Sequence, residues 1–348
     1  MSAPPVRARL ALLGASGYTG AEFARLAVAH PGVELRAAVS RQPAGRTWGD
    51  LVPGVDPRAS DVPAVVDVDE LVALVERGEC DTLVCCLPHG AWRTLAAQRP
   101  ALAATPVRIL DLSMDHRDGS AGYAYGLPEA FRSQLGGATR VANPGCYPTA
   151  AALALLPAAE AGALAGDVTV VALSGATGAG RAVAARTQFV ELDGGAAFYK
   201  VGTEHAHVGE MERTLARFVP AGGGSTPPPR VAFAPQLVPM SRGILLTAQV
   251  ALAAPLTADA ARDLYAARYA REPFVRLLPA GQWPETRAVR GSNRVDIQVT
   301  TLFDGTRLLA TAAIDNLGKG AASQALQNLN LGLGWPETTA LARHGQPW

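Results

Sequence analysis

The run Gly14-Ala-Ser-Gly17-Tyr-Thr-Gly20 limits what this chain can become more than any other stretch. An apolar segment, 9–13, enters it and a helical pattern, 19–29, leaves it. Strand, glycine turn and helix in that order let the backbone turn tightly and approach a pyrophosphate, while the helix N-terminus offers its N–H groups. The spacing is GxxGxxG rather than GxGxxG. Three glycines alone carry little weight, and the flanking strand and helix give the motif its meaning. A glycine-rich turn with no ligand is the plainer reading. Gly14, Ser16, Gly17, Tyr18, Thr19 and Gly20 are the candidate cofactor contacts.

Strands at 33–40, 81–87 and 108–112, with a helix at 69–77, continue the alternation. That pattern predicts a parallel sheet covered by helices, an α/β fold of Rossmann type. Domains that bind NAD usually carry a carboxylate at the end of the second strand, where it holds the ribose hydroxyls. Here the strand ends in Ser40-Arg41. An arginine can pair with a 2′-phosphate and a serine can hydrogen-bond it, so NADP(H) is the expected cofactor. A solvated surface charge is the alternative for Arg41. The loop Leu87-Pro88-His89-Gly90 follows a strand of the same sheet, and such loops line the ligand crevice. Pro88 and His89 are therefore candidates, although His89 can equally be a loop residue without a role.

After Thr149 the pattern changes. Segments 167–173, 231–237, 243–253, 295–302 and 307–314 read as strands of a mixed, largely antiparallel sheet, and 256–269 as a helix. Segment 221–230 (AGGGSTPPPR) is a loop. A last helix at 321–332 could return to the first domain. The expected division is a nucleotide-binding domain, 1–145, completed by the C-terminal helix within 316–348. The α+β domain, 146–315, would hold the substrate and form a homo-oligomer, dimer or tetramer.

Two domains suit 348 residues. The formal charge of +1 provides no global field for nucleic acid or an acidic membrane. No apolar run reaches the roughly 20 residues of a membrane span, and the first residues lack the pattern of a signal peptide. A cytoplasmic location is expected. Cys80, Cys85, Cys86 and Cys146 form no spaced disulfide framework and no zinc-ligand set.

Asn143-Pro-Gly-Cys146-Tyr-Pro-Thr149 precedes an Ala-rich helical stretch. Proline and glycine hold a turn, and the cysteine falls near the helix start. A helix N-terminus favours a thiolate and supplies donors for an oxyanion, which is what a thiol nucleophile needs. A buried small hydrophobe is the ordinary fate of a free cysteine and stays open here. Cys85 and Cys86 read as inert residues of a buried strand. His205-Ala-His207 is the close histidine pair of the chain. On a strand, residues two apart point the same way. They could ligate a metal, but no third ligand stands nearby. One histidine as acid/base to Cys146, with the other on the substrate, fits better.

These residues resemble a known family, the N-acetyl-gamma-glutamyl-phosphate reductases, within the semialdehyde-dehydrogenase superfamily. The resemblance runs through GASGYTG (14–20), LPHG (87–90), LDLSMDHR (110–117), ANPGCYPTA (142–150), SGATGAGR (174–181), HAH (205–207), SRGI (241–244), GSN (291–293) and IDNLGKGAASQALQNLN (314–330). It implies that Cys146 is the nucleophile and His205 the general acid/base. It also implies that Ser174, Gly175 and Asn316 contact the cofactor near the nicotinamide. Arg117, Tyr199, His207 and Arg242 become candidate contacts for an acyl phosphate, with structural ion pairs the alternative for both arginines. The sequence departs from the family at HAHVGEM (205–211), usually HRHxPEI, and at DLSMDHR (111–117), usually DLSADFR. A sister branch reduces an aminoadipyl phosphate carried on an acidic protein. ANPGCYPT and QWPETRAVRGSN (282–293) favour the acetylglutamyl branch, whereas WPET (335–338) is similar to the other. A non-catalytic NADP-binding regulator is the third reading.

Overall fold

The computed structural model describes residues 8–40, 44–59, 62–104, 106–181, 185–219 and 229–346. Arg41 and most of the 221–230 loop lie outside them. Two compact units divide the chain. One runs up to Pro144 and resumes at Ala321–Leu341, and the other is Gly145–Gly320 with the residues from Ala342 on. The chain thus returns to the first unit at Ala321 rather than 316, and its last residues group with the second.

The first unit is built on strands β1 (Ala8–Leu13), β2 (Val33–Val39), β3 (Ala64–Val66), β4 (Thr82–Cys85), β5 (Arg108–Asp111), β6 (Ala124–Tyr125) and β7 (Arg140–Ala142). Their order is β3-β2-β1-β4-β5-β7-β6, and every pairing is parallel. Helices cover both faces, so β1 and β4 are buried nearly throughout and read as continuous apolar runs. The strand order reverses between β1 and β4. In open parallel sheets that reversal opens a crevice at the carboxyl ends of the strands. The glycine turn leaves β1 there and the 87–90 loop leaves β4.

Helix Ser323–Gly332 packs in this unit on helices Tyr18–Ala27 and Pro128–Leu135. Its docking is polar. Gln324, Gln327, Asn328 and Asn330 are all fully buried. Gln324 and Asn328 each donate to the Gly126 carbonyl (3.0 and 2.9 Å), and Asn330 Oδ1 pairs with His30 Nε2 at 2.8 Å. Buried amides need partners, so sliding this helix by one residue would strip several of theirs at once. Polar pairing sets its register where apolar contacts alone would tolerate slippage.

The second unit holds β8 (Leu164–Ser174), β9 (Ala197–Phe198), β10 (Val231–Leu237), β11 (Ile244–Leu252), β12 (Val275–Leu277), β13 (Val295–Leu302) and β14 (Arg307–Ile314), in the order β12-β13-β14-β11-β8-β10-β9. β8–β10 and β12–β13 pair parallel, and the other four pairings are antiparallel. Alternate residues of β11 are buried, as in a sheet covered on one side. Helix Cys146–Glu160 lies against β8, β11 and β14 and is buried from Tyr147 to Ala159. Each fully buried leucine there contributes roughly 2 kcal/mol. Pro157 has no N–H to give the Leu153 carbonyl. The Tyr269 hydroxyl, from helix Ala258–Tyr269, donates to that carbonyl instead at 2.5 Å.

Candidate active site

The glycine turn shows why two of its residues lack side chains. Gly14 has φ +80°, and a Cβ there would stand 2.3 Å from the Cys86 carbonyl oxygen. A Cβ on Gly20 would stand 2.4 Å from the Gly14 carbonyl oxygen. These glycines let strand and helix close on each other. Gly17 differs. A Cβ there would meet only an ordinary contact at 3.4 Å, so the packing inside the turn does not demand glycine. Gly17 caps helix Tyr18–Ala27 without a side-chain hydrogen bond, and the first N–H groups of a helix have no partner within it. A bare N-terminus that keeps its approach clear suits a pyrophosphate. Ser40 Oγ donates to Ser16 Oγ at 3.0 Å, which joins the end of β2 to this turn. Arg41 lies outside the described residues.

His89 and Pro88 are exposed after β4. His89 Nδ1 accepts the Met114 N–H at 3.1 Å. The Asp115 carboxylate holds the same loop through the N–H groups of Gly90 and Arg93 (2.6 and 3.0 Å). Arg117, expected on the substrate, is buried in the first unit and donates to the carbonyls of Asn143 and Leu112, both at 2.8 Å. Its described contacts brace two loops of this unit.

In the second unit Cys146 opens its helix. Gly145 caps it at φ −69°, ψ 157°, and the Thr149 hydroxyl donates to the Gly145 carbonyl at 2.9 Å. Pro148 falls in the first turn, where a missing N–H removes no helix bond. Cys146 is half-exposed, unlike buried Cys80 and Cys85. Burial pushes the Cys80 thiol up to about 11 and those of Cys85 and Cys86 higher still. Cys86 follows β4 and is only partly buried as a residue, but its thiol is enclosed and raised by burial like that of Cys85.

Both histidines stand beside the Cys146 turn, but on no strand. His205 follows the short turn Gly202–Glu204, and His207 starts helix His207–Ala216. Val208, Met211 and Leu215 are buried at helical spacing, so the histidine pair opens a helix where a strand was expected. The rings still meet, with centroids 4.8 Å apart. The Tyr147 ring is edge-on to both, at 5.5 Å from His205 and 5.9 Å from His207, and Phe233 lies 5.1 Å from His205. His205 Nδ1 accepts the His207 backbone N–H at 3.1 Å. The proton of a neutral His205 must therefore sit on Nε2. Burial, with the Lys200 charge adding to it, lowers His205 to about 4, while the Glu210 carboxylate works the other way. The ring is neutral at pH 7 and presents an N–H donor.

Glu210, Tyr147 and Lys200, which have no role in the sequence analysis, lie close to these residues. Glu210 is buried, and its Oε1 accepts the Gly145 N–H at 2.9 Å. The hydroxyls of Tyr147 and Tyr199 share a 2.6 Å hydrogen bond. Burial raises both phenols far above their ordinary value, so they stay protonated. Lys200 holds a left-handed φ of 46°. Ser174 ends β8, and Gly175 has no room for a side chain, since a Cβ would stand 2.8 Å from the backbone at Ser241–Arg242. Asn316 Oδ1 accepts the Gly243 N–H at 2.7 Å, and its amide nitrogen donates to Thr177 at 3.0 Å. Arg242 forms an ion pair with Asp315, Nη2 to Oδ2 2.9 Å, so the structural alternative holds for it at least in part. Among the described residues no three His, Cys, Asp or Glu side chains are grouped to hold a metal ion.

A parallel sheet in one unit, and in the other a mixed sheet packed on a helix that a cysteine opens, are features of the semialdehyde-dehydrogenase class. Residues 9–138 match the model described as "Semialdehyde dehydrogenase, NAD binding domain", and 146–316 that described as "Semialdehyde dehydrogenase, dimerisation domain". Aspartate semialdehyde dehydrogenase II from Vibrio cholerae shares the fold, with TM-score 0.72 and 18% identity over 93% of this chain and 98% of that one. The Candida albicans aspartate semialdehyde dehydrogenase, solved with NADP, has TM-score 0.65 and 15% identity over 93% and 99%. Among sequence relatives, N-acetyl-gamma-glutamyl-phosphate reductase of Saccharopolyspora erythraea is 41% identical over 96% of this chain and 97% of its own, and that of Thermus thermophilus 42% over 97% and 99%. The chain belongs to the N-acetyl-gamma-glutamyl-phosphate reductase family.

Proposed function

We propose that this protein reduces N-acetyl-gamma-glutamyl phosphate to the semialdehyde with release of phosphate, through a thioester on Cys146. One observation carries it above all: Cys146 is half-buried at the N-terminus of a buried helix, and the ring of the next residue, Tyr147, lies edge-on to both His205 and His207. The helix N-terminus favours the thiolate. Its sulfur attacks the acyl carbon, the carbon–oxygen bond to phosphate breaks, and phosphate leaves with the electron pair and takes up a proton. Bound NADPH supplies the hydride that reduces the thioester carbonyl. The resulting thiohemiacetal oxyanion re-forms a C=O bond and expels the thiolate, which frees the aldehyde. His205, with its proton on Nε2, donates to the substrate oxygen that gains negative charge. Backbone N–H groups at the start of the Cys146 helix share that task. Tyr199, His207 and Arg242 contact the acyl phosphate. Ser174, Gly175 and Asn316 shape the nicotinamide site.

NADP(H) is the cofactor of this reading. The side chain absent at Gly17, the uncapped helix start and the Ser40–Ser16 pair fit the pyrophosphate and ribose end. The arginine at 41 is the proposed 2′-phosphate partner. The protein acts as a homo-oligomer in the cytoplasm; among the described residues no helix is long and apolar enough to cross a membrane.

The test is the reverse reaction with NADP, phosphate and free N-acetylglutamate semialdehyde. Phosphate-dependent NADPH formation is expected, and weaker turnover with NAD. Activity confined to a carrier-linked aminoadipate semialdehyde would move the protein to the sister branch. NADPH binding with neither activity would reject the catalytic reading.

A further inference from the structure

Asp315 is fully buried and accepts hydrogen bonds on both carboxylate oxygens. Oδ1 accepts Arg242 Nε at 3.1 Å and the N–H groups of Leu317 and Gly318 at 2.9 and 3.1 Å. Oδ2 accepts Arg242 Nη2 at 2.9 Å and the Gly291 N–H at 2.7 Å. Its backbone carbonyl accepts the Gly320 N–H at 2.9 Å. One side chain therefore joins three segments that are distant in sequence: Ser241–Gly243, Gly291–Ser292 and Asp315–Gly320.

The last of these segments presses on the thiol residue. A Cβ on Gly320 would stand 2.7 Å from Cys146 Cβ and 3.2 Å from its Cα. A Cβ on Gly318 would stand 2.6 Å from the Ser292 carbonyl oxygen. The turn is thus seated between the Gly291–Ser292 segment and Cys146 with no slack for a methyl group. On its other side, the two-point pairing with Asp315 fixes the plane of the Arg242 guanidinium, which is partly exposed. A carboxylate that takes five donors on two oxygens stays fixed only if all of them stay in place.

We propose that Asp315 is a positioning residue that sets two things at once: the orientation in which Arg242 meets the anionic substrate, and the turn that backs Cys146. This rests on the acyl-phosphate reading above. It predicts that substrate affinity and thiol reactivity respond together to one buried group that touches neither substrate nor cofactor. A merely structural aspartate would lower thermal stability and leave both readouts unchanged in the folded protein.

The experiment uses the full chain and two assays. The first is the reverse reaction with free N-acetylglutamate semialdehyde, NADP and phosphate. The second is the rate of Cys146 alkylation by iodoacetamide as a function of pH, which needs no turnover. Asp315→Asn keeps the size and loses the charge. It should raise KM for the semialdehyde and for phosphate about 10- to 100-fold, as for loss of a charge-assisted hydrogen bond, with KM for NADP unchanged. It should also shift the alkylation profile. Arg242→Lys should reproduce the KM effect and leave the alkylation profile at wild type. The double variant should be no worse in KM than the more severe single one, because both act through one guanidinium. Gly320→Ala should alter alkylation alone. If Asp315→Asn does not fold, Arg242→Lys and Gly320→Ala still read the two arms separately, and wild-type behaviour in either overturns its arm. A folded Asp315→Asn with wild-type KM and alkylation overturns the whole proposal, as does a multiplicative KM effect in the double variant. Absence of turnover in the wild type would instead reject the acyl-phosphate reading, and the alkylation profiles would still decide whether Asp315 governs Cys146.

Discussion

Cys146 and His205 owe their expected behaviour to backbone geometry more than to neighbouring charges. The cysteine is presented by a helix start, and the histidine is fixed as the Nε2–H tautomer by the His207 N–H. Cys146→Ala should abolish turnover and leave NADPH affinity nearly unchanged, as measured by fluorescence titration; loss of NADPH binding in a folded variant would contradict separate nucleotide and thiol sites. His205 also has a consequence for stability. Its folded value of about 4 lies below the unfolded 6.5. The unfolded chain therefore binds the proton first. Stability is complete above about pH 6.5 and falls as the pH drops toward 4. His205→Gln should flatten that decline without abolishing it, since buried His30 is also lowered. Chemical denaturation between pH 7 and pH 4 measures this, and an unchanged slope would show that His205 titrates normally. Glu210 adds a third case. Glu210→Ala leaves the Gly145 N–H without its carboxylate, at a cost of about 1–3 kcal/mol, which a lower Tm measures. At this scale the sequence was informative about which residues matter. It assigned no role to Glu210, Tyr147 and Asp315, although all three fall in stretches named above, because their partners are set by the tertiary fold and not by the local pattern.

Among the elements, long ones were legible and short ones were not. β11 alternates over nine residues and β14 over its first six, and both were expected within a residue or two of where they lie. β6 and β9 are two residues each, too short for any period to show, and exist because a neighbouring strand offers its edge. Helix His207–Ala216 was missed because the histidine pair suggested a strand, although the apolar spacing of Val208, Met211 and Leu215 belongs to a helix. The glycine turn gives the element-scale prediction. Gly14→Ala would force a Cβ against the Cys86 carbonyl at positive φ. It should weaken NADPH binding by tenfold or so and lower the Tm, yet leave Cys146 alkylation unchanged. Equal loss of both would show that the two elements are not independent.

For the whole molecule, the alternation of strands and helices foretold a parallel sheet, and the change of period after residue 149 a second, mixed one. The return of the C-terminal helix was legible as a possibility only. What secures it is a set of buried amides, Gln324, Asn328 and Asn330, whose partners Gly126 and His30 lie far away in sequence. Asn328→Leu would leave the Gly126 and Asn143 oxygens short of a donor, and about 1–3 kcal/mol of stability should be lost. Ligand linkage is the other molecular-scale test. NADPH at about 100 times its Kd should stabilise the fold by about 2.7 kcal/mol, with NADH at the same concentration giving much less. Equal shifts would remove the case for a 2′-phosphate partner at residue 41.

The covalent step is the centre of the account, and mixing the protein with N-acetyl-gamma-glutamyl phosphate in the absence of NADPH isolates it. Phosphate should be released in a burst of one equivalent per active site, and digestion with mass analysis should find the acyl group on the peptide that carries Cys146. Cys146→Ala should show neither. Phosphate release without an acylated Cys146, or acylation elsewhere on the chain, would contradict the thioester route.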